Sequence, residues 1–356
     1  MPGPEVTPPS ELKIPPPEAS SSLAAKISVT LETKRLIAEI ERDVENLNWS
    51  IPDLVPFEAA PRLAGPARHL LASGGKRLRP LLICLLGRAL NLPFDHRLKV
   101  CAMASELVHN ATLLHDDVLD GAKTRRGRIA AHLKYDAHTA ILSGDALLCK
   151  AMADVARLGD CEILENLALT LRELVEGECL QADLVGKVHE ELDTVLEVCR
   201  RKTGALFAWG GWVAGKIAGR NAEELRKFGK HLGLAFQLLD DVLDWESDSS
   251  GKPRLQDLRE AKLNTVAVVL AMKSSSARQI LQRAFSSLDS HQEIESPDNV
   301  HIQLKSCPEF LEAVQWVKAQ AEKESAFAIA NLESLPDSPW KELAKRLTTD
   351  LLTRMK

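Results

Sequence analysis

The chain has 356 residues, 45% hydrophobic and only 4% aromatic, a balance that suits an aliphatic helical core better than a β-sandwich. Its net charge of −5 argues against a nucleic-acid binder, which normally carries a basic surplus. The seven cysteines, at 84, 101, 149, 161, 179, 199 and 307, form no C-x-x-C pair, so free thiols in a reducing cytoplasm are expected rather than disulfides or zinc.

Residues 1–22 carry seven prolines and no packable apolar pattern, and read as a disordered tail. They lack the charged head and apolar centre of a signal peptide, and Glu5, Glu11 and Glu18 are unlike an acid-poor transit peptide. Helical spacing then predicts a helix over 23–49 and a brief one ending at Leu71. Ser73-Gly74-Gly75 reads as a turn, and a helix resumes over 78–90 with Pro80 in its first turn. Between Pro93 and Pro253 there is no proline. Apolar helical segments recur there over 96–119, 136–157, 162–184, 191–217 and 222–246. Further helices are expected over 260–286, 308–333 and 338–355, with a loop over 287–301. No alternating strand pattern competes, and no domain boundary stands out. The expectation is an all-α bundle of long helices forming a single domain over 23–356. No apolar run approaches bilayer length, so a soluble cytoplasmic protein with at most peripheral membrane contact is expected.

The sequence D-D-V-L-D occurs twice, at Asp116, Asp117 and Asp120 and again at Asp240, Asp241 and Asp244. On a helix the first and last acids of each copy share a face. Crowded carboxylates on an apolar helix are costly unless a hard cation neutralises them, Mg²⁺ above all. One acidic triplet is more often a solvated face or a cap; two identical copies on apolar helices favour metal binding. Asp117 and Asp241 point off the main face and suit a secondary role.

Basic residues accompany these acids. Gly74-Gly75-Lys76-Arg77-Leu78-Arg79 sets three cations at a glycine turn and a helix start, where exposed N–H groups favour an anion. Arg125 and Arg126 follow the first acidic copy and have the fork geometry that suits a phosphate. The bland alternatives are a solvated basic turn for the first group, and a surface loop or salt bridge back to the aspartates for the second. His109 lies about two turns before Asp116 on the same face; alone, such a histidine is more often a satisfied core residue. Lys202, Thr203 and Gln237 are polar points within apolar helices, and Gln237 shares the face of Asp240.

The ordered set GGKRLRP, HNATLLHDDVLD, RRG, GDALL, EGECLQ, KTG and FQLLDDVLD resembles the all-trans polyprenyl diphosphate synthases, of the octaprenyl or solanesyl type, from about Arg68 to Lys262. The resemblance implies the all-α isoprenoid synthase fold around a central cavity, usually in a homodimer. It also implies head-to-tail condensation of isopentenyl diphosphate with an allylic diphosphate, with three Mg²⁺ per active site. Asp116, Asp120, Asp240 and Asp244 then correspond to metal ligands, with Asp117, Asp241 and Lys202 also in the catalytic set. Lys76, Arg79, His109 and Arg126 resemble the isopentenyl diphosphate pocket. Arg125, Lys202, Thr203 and Gln237 resemble the allylic site, and Gln181 fits a mid-helix motif. One region departs. Related enzymes often read G-K-P-x-G-x-D-L-x-E-G-K-x-T-L-P, where this chain reads GKPRLQDLREAKLNTV; Asp257 and Lys262 survive but both inner glycines and the last proline do not. Val195 replaces a tyrosine found in some relatives.

The chemistry fits this inventory. A leaving diphosphate needs its charge neutralised, the resulting allylic cation needs a dry cavity, and no protein nucleophile is required. Product length would depend on what blocks the cavity below the first acidic copy. Ala111 lies about 7.5 Å down the helix from Asp116 and Thr112 one position nearer. Both are small, so an open floor and a medium- or long-chain product are expected from a farnesyl or geranylgeranyl primer; Leu107, Val108, Leu148 or Met152 are other candidates for the floor. A geranylgeranyl diphosphate synthase is the main alternative. A non-catalytic subunit or a terpene cyclase fits less well, because both acidic copies and the first basic turn are intact.

Overall fold

The structure is a computed structural model that describes residues 31–47, 60–246, 256–289 and 297–353. The proline-rich tail lies outside these residues, as does the start of the first expected helix, which is described as Leu31–Glu45. The fold is all-α. Among the described residues the only strands are the two-residue pair Thr124–Arg125 and Arg128–Ile129. The long helices form where the apolar periodicity placed them: His96–Leu119, Ala137–Ala156, Cys161–Leu184, Ala222–Glu246, Phe310–Leu332 and Pro339–Thr353. The Asp95 carboxylate accepts from Leu98 N and starts the first; Asp136 caps the second by accepting from Thr139 N at 2.7 Å.

Three stretches differ from expectation. The span over 191–217 is broken by a π-turn at Arg200–Gly204, between helices Leu192–Cys199 and Ala205–Ala218. The span over 260–286 is instead two helices, Thr265–Lys273 and Ser275–Asp289, because Asn264 caps the first and Ser274 adopts an extended conformation between them. The expected loop over 287–301 contains the start of a helix, Pro297–Lys305, with proline in the first position, where its missing N–H costs nothing.

The described residues fall into two compact units, one within 1–85 and 93–164 and the other within 86–92 and 165–356. The first is built on His96–Leu119, which packs against Ala137–Ala156 and is buried along almost its whole length from Leu98 to Leu114. The second is built on Ala222–Glu246, flanked by Ala205–Ala218 and Phe310–Leu332. Glycine lets two of these helices meet backbone to backbone: a Cβ at Gly229 would sit 2.2 Å from the Phe207 carbonyl oxygen, and one at Gly233 would sit 2.6 Å from Gly204 Cα.

One lost family glycine leaves a visible mark. Ala261 stands at the second inner glycine of the related pattern and has φ of +54°, while its carbonyl accepts from Gly186 N at 2.8 Å. A left-handed alanine costs about 1–2 kcal/mol that glycine would not. Ala261→Gly is therefore expected to stabilise the protein by up to about 1 kcal/mol after glycine's extra unfolded-state entropy is offset, and so to raise its melting temperature; calorimetry on the purified variant checks it.

Candidate active site

In the first unit, His109, Thr112, Leu113, Asp116 and, just past the helix end, Asp120 form a partly accessible stripe of the helix His96–Leu119. The i, i+4 spacing thus puts Asp116 and Asp120 on the same open face. Asp117 turns inward, is 1% exposed, and takes Arg125 Nε at 2.6 Å on Oδ1. Burial outweighs this pairing and pushes the Asp117 carboxyl up from its ordinary range. Arg125 therefore does form the salt bridge back to the aspartates that its spacing allowed.

The R-R-G sequence is the tip of a two-residue β-hairpin. Arg125 pairs with Arg128, and the loop residues Arg126 and Gly127 have φ of +51° and +72°, as a type I′ turn requires. Glycine is at ease there; arginine is held in a disfavoured conformation that is found most often at functional positions. The turn aims Arg126 at the glycine turn, where its guanidinium donates to the Gly74 carbonyl. A Cβ at Gly75 would lie 3.0 Å from Arg126 Cζ, and its φ of +136° is one that other residues rarely adopt, so a substitution there would be strained and would crowd the guanidinium.

Beneath them is a buried pair that the sequence did not announce. Arg77 binds Glu106 and donates to the Leu71 carbonyl at 2.9 Å; both charged side chains are 2% exposed. Asn110 completes the group, donating to Glu106 Oε1 at 2.8 Å. Arg79 and Arg126 are each pulled down to about 10, first by burial, with Glu106 opposing and neighbouring arginines adding, so both stay charged at neutral pH. Burial, with Arg79, Arg126, Arg77 and Arg125 close by, holds His109 well below its usual range. It is a neutral imidazole among cations. The unit thus gathers Arg77, Arg79 and Arg126 about one buried glutamate, with Arg125 and His109 close to these arginines, while Lys76 is exposed at the turn.

In the second unit, Gln237, Asp240 and Asp244 share the partly accessible stripe of Ala222–Glu246, and Asp241 is buried at 3% exposure. The two copies of D-D-V-L-D therefore have the same internal design: outer acids accessible, middle acid locked inside. The π-turn carries Lys202 and Thr203, a common setting for functional residues. Thr203 donates to Gln237 Oε1 at 2.7 Å, and Gln237 Nε2 donates to Asp241 Oδ1 at 2.8 Å. The E-G-E-C-L-Q sequence supports this turn throughout. Glu176 pairs with Arg201, Glu178 with Lys202, and Gln181 accepts from Lys202 Nζ at 2.5 Å. A Cβ at Gly177 would meet Arg201 Cβ at 2.7 Å, so the π-turn approaches only because glycine stands there.

Asp257 belongs to this group, although the sequence marked it only as a surviving family letter. Burial, then the charges of Asp244 and Asp241, push its carboxyl well above the ordinary carboxylate range. Burial likewise pushes Asp241 up to about 6, against the opposing hydrogen bonds of Thr265 and Gln237. For such a raised acid, the contribution to stability is present below its unfolded value of 3.8 and is lost as pH rises through about 6. In metal-free protein, melting curves between pH 4 and pH 7 are expected to fall more steeply for wild type than for Asp241→Asn. Equal slopes would contradict this charge assignment.

Asp257 feels the charges of Asp244 and Asp241, and carboxylates crowded in this way fit a divalent cation as partner. Among the described residues no three acid, histidine or cysteine side chains close into a ready cage. Mg²⁺ does not need one, since it keeps waters and shares its shell with substrate phosphates.

The sequence model of one family, Polyprenyl synthetase, matches residues 60–298. The chain belongs to that family. This polyprenyl synthetase is 33% identical to the octaprenyl diphosphate synthase of Escherichia coli (strain K12) over 284 residues, 77% of this chain and 84% of that protein. A decaprenyl diphosphate synthase from Rhodobacter capsulatus has a similar crystal structure, with a TM-score of 0.80 at 30% identity, covering 91% of this chain and 99% of the other. A polyprenyl synthase from Caulobacter crescentus CB15, crystallised with calcium and isoprenyl diphosphate, also has a TM-score of 0.80, at 31% identity, covering 91% and 98%. The all-α isoprenoid synthase fold expected from the motifs is thus the fold of this chain. No described helix is long and apolar enough to cross a membrane.

Proposed function

We propose that this polyprenyl synthetase joins isopentenyl diphosphate to an allylic diphosphate, head to tail, and extends it to a medium- or long-chain all-trans polyprenyl diphosphate. The observation that carries this is the repeated acidic design, with outer aspartates accessible and the middle one locked, in a chain whose first unit also gathers arginines around His109. Asp116, Asp120, Asp240 and Asp244 are the residues that would hold Mg²⁺, three ions per active site by family resemblance, with Asp117 and Asp241 setting their geometry. Mg²⁺, when bound, supplies the positive charge that lets the diphosphate leave. Arg125, Lys202, Thr203 and Gln237 hold the allylic diphosphate, and Lys76, Arg79, His109 and Arg126 hold isopentenyl diphosphate. Arginine forks grip phosphate oxygens and neutralise charge as it grows on the leaving group. The apolar surroundings keep water from the allylic cation until the isopentenyl double bond attacks it; the new cation then loses a proton, which the released diphosphate can take. The enzyme acts as a cytoplasmic homodimer with at most peripheral membrane contact.

The test is diphosphate release with each substrate alone and with both. Release is expected only when farnesyl diphosphate, isopentenyl diphosphate and Mg²⁺ are together, and chelation by EDTA should abolish it. Rapid release from farnesyl diphosphate alone would indicate a cyclase; no release under any condition would indicate a non-catalytic subunit.

A further inference from the structure

Aligned on Asp257 and Lys262, the related pattern puts its threonine at Asn264 and its leucine at Thr265. This chain therefore has a hydroxyl where that pattern has an alkyl side chain. The hydroxyl is not idle. Thr265 is fully buried at the start of helix Thr265–Lys273. Its Oγ1 donates to Asp241 Oδ2 at 2.7 Å and its backbone N–H donates to the same oxygen at 3.0 Å. Asn264 fixes the ground beneath it: its Oδ1 accepts from Ala267 N at 3.2 Å and from Trp245 Nε1 at 3.0 Å, while its Nδ2 donates to Asp257 Oδ2 at 3.1 Å.

We infer that Thr265 is a positioning residue for the allylic-diphosphate site, acting through Asp241 and Gln237. With Oδ2 taken by two donors, Asp241 offers Oδ1 to Gln237. Gln237 turns its Nε2 toward that oxygen and its Oε1 toward Thr203. That single amide orientation fixes Thr203, which lies beside Lys202 in the π-turn. Threonine suits the task because its branched side chain has few χ1 choices. Removing the hydroxyl leaves Oδ2 with one donor and frees the carboxylate to rotate, so the Gln237 amide loses its set direction. Asn264 and Thr265 together thus clasp both buried carboxylates behind Asp240 and Asp244.

This inference rests on the proposed reaction, so the experiment includes the wild type as its own control. Thr265→Val, Thr265→Ala and Thr265→Ser are compared with wild type by melting temperature and by KM for each substrate. A further readout is calorimetric binding of farnesyl thiodiphosphate, an unreactive allylic analogue, with Mg²⁺. The Val variant should raise KM for the allylic substrate and Kd for the analogue by about fivefold or more, leaving KM for isopentenyl diphosphate unchanged. The Ser variant, which keeps the hydroxyl, should stay within about twofold of wild type. The Ala variant, which cannot overpack, should repeat the selective loss if the Val variant does not fold. A folded variant lacking the hydroxyl that binds like wild type overturns the inference, as does an equal rise in both KM values or a Ser variant as impaired as Val. A wild type that neither binds the analogue nor turns over overturns the reaction assignment and the inference together.

Discussion

Asp240→Asn is expected to lower kcat/KM by at least about a hundredfold, the scale of losing one stabilising group for a leaving anion. The metal-free variant should lose less stability than a substitution at the buried Asp117. Asp240 sits on the accessible stripe, and its charge is among those that push Asp241 up. Removing that charge relieves repulsion, while asparagine keeps the shape. Mg²⁺ should then raise the melting temperature of wild type more than that of the variant, because binding to the native state stabilises it by mass action. Asp117→Asn should behave differently. Asp117 is buried and paired with Arg125, so its loss should cost about 1–3 kcal/mol of stability as well as activity. Equal stability losses at 117 and 240 would contradict the division between accessible outer acids and locked middle acids.

Product length should respond to Thr112 more cleanly than to Ala111. The two are adjacent in sequence, and both are small enough to suggest an open floor. Thr112 lies on the same partly accessible stripe as Asp116, whereas Ala111 is fully buried. Thr112→Phe is therefore expected to shorten the product to about C20 with modest loss of stability. The added ring enters space beside the acidic motif rather than the packed interior. Ala111→Phe should cost about 1–3 kcal/mol or more by overpacking, before any effect on chain length is read. Chromatography of the dephosphorylated products and thermal melting separate the two outcomes. An Ala111 variant of wild-type stability, with a short product, would place the floor at 111 instead.

The features legible in the sequence are those governed by local spacing. The i, i+4 rule put Asp116 with Asp120 and Asp240 with Asp244, and it set Asp117 and Asp241 aside from them. Long apolar periodicity located the central helices to within a residue or two. The features that escaped depend on partners distant in the chain. Glu106 is one acid in an apolar helix, and only folding brings Arg77 to it. The hairpin at 124–129 was hidden because its turn puts an arginine where asparagine or glycine would give it away. The π-turn was invisible because it is one wide turn in a span that stays helical on both sides of Arg200–Gly204. The split of the expected 260–286 helix was legible in principle: Asn264 is a strong N-cap residue, but the apolar run around it outweighed that signal.

The most direct test of the whole account is product length from labelled isopentenyl diphosphate and unlabelled farnesyl diphosphate with Mg²⁺. A ladder of all-trans prenyl diphosphates ending beyond C20 is expected, each step adding one labelled five-carbon unit. A product no longer than C20 would contradict the long-chain reading, and no incorporation of label would contradict the reaction itself.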